Sequence, residues 1–237
     1  METAGYATLS RQSGLMREMQ IVANNIANSA TTGYRQEGLI FSEYIQSGPE
    51  QSSMSMSRAN IRNTSMEQGS LTQTNGTFDL AIEGEAFFKI ETPAGERLTR
   101  SGAFSPNAEG DLVTADGYRV LDSGGSPVFV PGDAETINVA PDGTITADGN
   151  PVGQIGLFKP AEAQSLIRED GVMFRVEGDV EETEDAQILQ GFVEGSNVNP
   201  MSQMARMIEI QRAYEMGQSF LETEDQRIRN AIKNLIK

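Results

Sequence analysis

The chain is 237 residues long, with 18 basic and 34 acidic side chains, a formal charge of −16, and no Cys, His or Trp. A charge of that sign repels nucleic-acid phosphates and anionic membrane faces, and the missing residue types exclude a Ser/His/Asp triad, a thiolate nucleophile, the usual zinc ligands and a disulfide framework. The length allows one good core or a modest domain with extended ends; the opening residues show no cleavable secretory signal, and no stretch reaches the roughly 18–20 apolar residues of a membrane span.

At the N-terminal end Leu15, Met19, Val22 and Ile26 recur at steps of four, three and four, which places them on one stripe of a helix predicted from about Thr8 to Ala30. Gly33 supplies a stop, since glycine takes the left-handed conformation that ends helices. The last turns carry Asn24 and Asn28 on one face, with Asn25 about 100° round from Asn24. On a dry interface such amides demand partners and fix one register; alternatively they face water and weaken the helix end. From about Ser47 to Gly69 the chain is rich in Ser, Gln and Asn, includes Met54-Ser55-Met56-Ser57, and reads as an extended arm.

The middle changes period. Phe78, Leu80 and Ile82 alternate with Asp79, Ala81 and Glu83, and β-rich runs follow at Phe87–Ile90, Tyr118–Leu121, Val128–Val130, Ile155–Phe158 and Val172–Phe174. Asp-Gly pairs at 116–117, 142–143, 148–149 and 170–171 suit tight hairpin turns, so a compact antiparallel β-domain is expected. The acidic run Glu181-Glu182-Thr183-Glu184-Asp185 reads as a solvated surface loop, and the aspartates between 142 and 149 lack calcium-loop spacing. No catalytic residue, metal site or cofactor is expected.

Asn199 can cap a helix whose first position is Pro200. Its seam runs Met207, Ile210, Tyr214, Gly217, Leu221, Glu224, Ile228, Ala231, Leu235, a 3.5-residue period broken only by Gly217 and Glu224. Residues 1–46 carry three basic and four acidic groups and residues 200–237 six and five, which leaves the whole −16 on the middle. A helix from Pro200 to Leu235 is about 50 Å long, more than a small β-domain can cover, so both terminal helices are expected to pack on each other and on neighbouring chains. Met16, Met19, Met201, Met204 and Met207 suit such an interface, because an unbranched side chain adapts to unlike neighbours. The fold class is α+β: long N- and C-terminal helices forming a coiled-coil-like assembly core around a central, mostly antiparallel all-β domain. The expected parts are an assembly helix and turn over 1–46, a linker arm over 47–69, a β-domain over 70–190 and an assembly helix over 191–237.

Asn24-Asn25-Ile26-Ala27-Asn28 followed by Thr32-Gly33-Tyr34-Arg35, Ser196-Asn197-Val198 and Gln211-Arg212-Ala213-Tyr214-Glu215 together resemble the bacterial flagellar rod and hook family. So do Asp79-Leu80-Ala81-Ile82-Glu83-Gly84, Phe87-Phe88 and Leu98-Thr99-Arg100-Ser101-Gly102-Ala103-Phe104 in the middle. Ile26, Tyr34 and Arg35 are conservative departures from that family's Leu, Phe and Lys, and Gly217 stands where it commonly has Asn. The short length and the Leu9-Ser10-Arg11-Gln12 start look most like the proximal-rod members, with the distal-rod members second. The resemblance implies a structural subunit without catalysis, exported by the flagellar type III apparatus without signal cleavage. It implies helical polymerisation in the periplasm as part of the basal-body drive shaft, with copies of itself and other rod proteins as partners, and neither nucleic acid nor direct membrane insertion. The seams and caps put Leu15, Met19, Val22, Asn24, Asn25, Ile26, Asn28, Asn199, Met204, Met207, Ile210, Tyr214, Leu221, Ile228 and Leu235 at the assembly interface. The resemblance adds Thr32, Gly33, Asn197, Gln211 and Arg212. The competing reading is a β-fold binding or adhesion module with a closed helical hairpin.

Overall fold

The computed structural model describes the backbone of residues 2–48, 51–162, 165–183 and 185–235, and the side chains of residues 7–40, 63–162, 165–183 and 185–234. The chain divides into two compact units: Met1–Ala27 with Glu37–Asn63 and Asn199–Lys237, and Asn28–Gln36 with Thr64–Val198.

The first unit holds helix α1 (Glu2–Ala27), the paired strands β1 (Glu37–Gly48) and β2 (Gln51–Thr64), and helix α2 (Pro200–Leu235). The bounds of α2 are those its cap and seam predict: Asn199 Oδ1 accepts the N–H groups of Met201 and Ser202 at 3.0 and 3.2 Å, satisfying donors that a helix start leaves free. α1 stops at Ala27, short of the expected Ala30, because Asn28 diverts the chain into a local turn: its carbonyl accepts the Thr31 N–H at 3.1 Å and its Oδ1 accepts the Thr31 hydroxyl at 3.2 Å. Within the arm expected over 47–69, residues 51–64 form a strand paired with β1; the alternation of Met and Ser at 54–57 is itself a strand period.

α1 and α2 pack along the predicted seam. On α2 Ile210 is buried and Met207, Tyr214, Gly217, Leu221 and Glu224 are half-buried, while Ile228 and Ala231 are exposed and the Leu235 side chain lies outside the described residues. α1 has 26 residues and α2 has 36, a difference of about 15 Å, so the shorter helix cannot cover the whole seam. A coiled coil over four heptads is therefore not completed within one chain. No helix among the described residues is long and apolar enough to cross a membrane.

The second unit is almost entirely β. Its main sheet has nine strands: β5 (Phe87–Thr92), β6 (Gly95–Thr99), β7 (Ser105–Pro106), β8 (Leu112–Val113), β9 (Arg119–Val120), β13 (Leu157–Pro160), β14 (Leu166–Asp170), β15 (Met173–Val176) and β16 (Val180–Glu182). All their pairings are antiparallel. A three-stranded sheet joins β10 (Ile137–Val139), β11 (Thr144–Ala147) and β12 (Asn150–Gln154). Two pairs join the ends of the unit: β3 (Leu71–Gln73) with β18 (Phe192–Glu194), and β4 (Leu80–Glu83) with β17 (Gln187–Gln190). Val128-Phe129-Val130, expected as a strand, makes only a single bridge from Phe129 to Asp111. The glycine of every Asp-Gly pair has a positive φ, as hairpin turns require.

Alternation along β5 divides the core. Phe88 and Ile90 join the main cluster with Leu80, Ile82, Leu112 and Val120, whereas Phe87 joins Leu98, Phe158, Leu166 and Phe174 on the other face. Phe88 meets Phe104, and Phe87 meets Phe174, edge to face at centroid distances of 5.1 and 5.8 Å.

Candidate assembly site

In the first unit the three asparagines separate by role. Asn25 is 1% exposed, on a buried stripe with Gly14, Glu18, Ile21 and Val22. Its Nδ2 donates to the Glu37 carbonyl at 2.8 Å and to Gln203 Oε1 at 3.3 Å, and its Oδ1 accepts the Glu37 N–H at 3.0 Å. One side chain thus satisfies both backbone groups of the first β1 residue and touches α2, fixing where the hairpin starts relative to the helices. Asn24 is exposed and Asn28 is half-buried. The second tie is ionic: Glu18 Oε1 lies 2.6 Å from Arg206 Nη2, and hydrogen bonding to Glu18 raises the arginine pKa. Asn25→Ala strands two buried backbone groups and is expected to cost about 1–3 kcal/mol, read as a lower urea midpoint of helix loss by circular dichroism at an unchanged slope.

In the second unit the turn after α1 enters a buried ion cluster. Gly33 has φ +72° and donates its N–H to the Glu194 carbonyl at 2.7 Å. A Cβ there would sit 2.3 Å from the Ser101 backbone nitrogen, so only glycine fits. Two residues on, Arg35 Nη2 pairs with Glu194 Oε1 at 2.9 Å, and Arg100 Nε lies 2.9 Å from Glu194 Oε2, near enough for an ion pair without the alignment of a hydrogen bond. Glu194 Oε1 also accepts the Gly69 N–H at 3.0 Å. Other guanidinium donors go to carbonyls, from Arg35 to Met66 and Glu67 and from Arg100 to Gly84 and Ala86, while Arg35 Nε is buried with no hydrogen-bond partner among the described residues. Asn197 completes the tie, accepting the Gln36 N–H at 2.6 Å and donating to the Glu67 carbonyl at 2.7 Å. Arg168 stacks over Tyr34 and Phe174 at 4.3 and 4.6 Å.

Burial lowers the pKa of both central arginines, Arg100 to about 10, while Glu194 and Glu85 pull each back up. One carboxylate is therefore holding two desolvated cations, an arrangement stable only while all three members are present. Arg35, Arg100 and Glu194 were not expected as a site: each is visible in the sequence, but only the fold brings the three segments together.

Of the other expected interface residues, Val22 and Ile210 are buried, while Leu15, Met19, Ile26, Thr32, Met207, Tyr214 and Leu221 are half-buried. Asn199, Met204, Gln211, Arg212 and Ile228 are exposed. The sequence did not single out the apolar groups left in solvent on the outer faces: Leu9 on α1, and Ile208, Met216, Phe220 and Ile232 on α2. Met216 is 66% exposed and Met201 77%, far more apolar surface than two helices need to offer water.

Three family models match the chain: "Flagella basal body rod protein" over residues 6–35, "Flagellar hook protein FlgE/F/G D1 domain" over 81–147 and "Flagellar basal body rod FlgEFG protein C-terminal" over 189–234. Gly33 and Arg35 fall in the first match, Arg100 in the second, and Glu194 and Asn197 in the third. The chain is 38% identical to the flagellar basal-body rod protein FlgF of Caulobacter vibrioides, over 100% of this chain and 99% of that one. It is 37% identical to FlgF of Mesorhizobium japonicum, over 99% and 98%. Identity to the flagellar basal-body rod protein FlgG of Agrobacterium fabrum is 30%, over 92% and 93%.

Proposed function

Because the chain belongs to the flagellar basal-body rod family, as a structural subunit and not an enzyme, we propose that it joins the rod through α1 and α2. The observation that carries this reading is the set of large apolar side chains left exposed on both helices, Met16 and Leu9 on one and Met204, Ile208 and Phe220 on the other. Burying such side chains stabilises an association by roughly 1.5–3 kcal/mol each before entropy is charged. A contact between unlike faces of successive copies does not close and so generates a helical array. Copies of this chain and other rod proteins are its neighbours, and torque passes through the many repeated helix contacts.

The higher identity to FlgF than to FlgG supports the FlgF position, in the proximal rod, with the distal position as the second choice. Export by the flagellar type III apparatus without signal cleavage, and assembly in the periplasm, belong to the same reading. The binding or adhesion module considered from sequence gives way to membership of this family.

Amide hydrogen exchange over residues 2–27 and 200–235 tests the assembly reading directly. The purified chain is expected to exchange fast there when dilute, and at least about tenfold more slowly when assembled into basal bodies. Equal exchange in both states would remove the helices from the interface.

A further inference from the structure

Between α1 and α2 lies a cavity of about 360 Å³, lined by Leu15 and Gly217 with Met216 and Phe220 at its edge. Besides Thr8, two side chains with hydrogen-bond donors reach it. Gln12 Nε2 is buried and has no hydrogen-bond partner among the described residues. Arg11, exposed beside it, has no carboxylate within ion-pair distance among them. Gly217 keeps the space open: a Cβ there would lie 3.3 Å from Gln12 Nε2 and 3.5 Å from its Cγ. Nothing in the helix calls for glycine at that point, since its φ is ordinary and alanine is the better helix former.

A stranded amide donor and an unpaired cation in a groove lined elsewhere by Thr8 and apolar residues ask for one kind of guest, an acceptor bearing negative charge on an apolar stem. We propose that this groove is a socket for the carboxylate of an Asp or Glu on a helix of an adjacent rod subunit, with Arg11 as its ion-pair partner and Gln12 Nε2 as its hydrogen-bond donor. The proposal rests on assembly through the terminal helices. Once the neighbour covers the groove, water leaves Arg11, and the pair gains strength from the lower dielectric. The outer apolar residues Met216 and Phe220 form the dry surround that such a charged contact needs.

The test uses the full chain in the source bacterium as its sole copy, with Met216 replaced by photoreactive p-benzoylphenylalanine. Irradiated basal bodies are expected to yield a cross-link from position 216 to a rod-subunit helix with an Asp or Glu within one turn of the linked residue. Arg11→Glu is expected to lower incorporation at least about tenfold, and a reciprocal acid-to-Lys change at the identified position to restore it. Arg11 is exposed, so the variant keeps its helix content, which circular dichroism verifies. A cross-link to a segment without an acid, no intermolecular cross-link from incorporated chains, or unchanged incorporation of Arg11→Glu each overturns the socket. None of these touches the assembly reading, which fails separately if chains with disrupted terminal helices still enter the rod.

Discussion

Glu194→Gln is expected to destabilise the unit of residues 28–36 and 64–198 by about 3–5 kcal/mol, the range for breaking a buried ion pair from one side. The carboxylate is 1% exposed and is the ion-pair partner shared by Arg35, 3% exposed, and Arg100, 1% exposed. Glutamine has nearly the same shape, so what is lost is charge: two guanidiniums remain in a site that water does not reach. The loss reaches every segment tied there, since Gly33, Gly69 and the carbonyls of Met66 and Glu67 are held by the same cluster.

Urea unfolding followed by far-ultraviolet circular dichroism measures the effect, the chain having no Trp to report by fluorescence. A loss below about 1 kcal/mol would mean that the cluster is no more than a surface-like pair. A control separates charge imbalance from packing: Arg35→Met with Arg100→Met and Glu194→Leu removes all three charges together and is expected to be less destabilising than Glu194→Gln alone, because an apolar replacement strands no ion.

What the sequence made legible follows the range of the interactions involved. The cap at Asn199, the start at Pro200 and the seam through Met207, Ile210, Tyr214 and Leu221 are set by neighbours three or four residues away, and α2 runs over the residues they indicate. The hairpin turns at Asp-Gly are equally local. The ion cluster was hidden for the opposite reason: Arg35, Arg100 and Glu194 come from three separate stretches, and an arginine beside a Thr-Gly turn looks the same whether it ends in water or against a buried carboxylate. Asn25 lies between these cases. Its helical position was readable, but its choice over Asn24 depends on the start of β1, which closes against the helix only in the fold. The fading of the α2 seam at Ile228 is a matter of length, for periodicity states which face is apolar and not how far the partner helix reaches.

Ile210→Asp with Leu221→Asp is expected to abolish incorporation into the rod while the unit of residues 28–36 and 64–198 stays folded. Ile210 is 2% exposed between the helices and Leu221 is half-buried one heptad and a turn further along. A carboxylate at the first position is buried without a partner, which costs several kcal/mol, more than a helix pair of this size can absorb, so α1 and α2 come apart before any neighbour is met. The β-unit has its own core and is unaffected, visible as an unchanged urea transition for its strands. Phe220→Asp supplies the comparison. Phe220 is 48% exposed at the edge of the groove between α1 and α2, so its replacement buries no carboxylate in the helix pair and takes an apolar side chain from what the pair offers a neighbour. If the helices act in assembly, both variants fail to enter basal bodies, the first with lost helix and the second with helix retained. Normal incorporation of the double variant would show that the rod accepts this subunit through some other surface, and the seam would then be no more than an internal packing device.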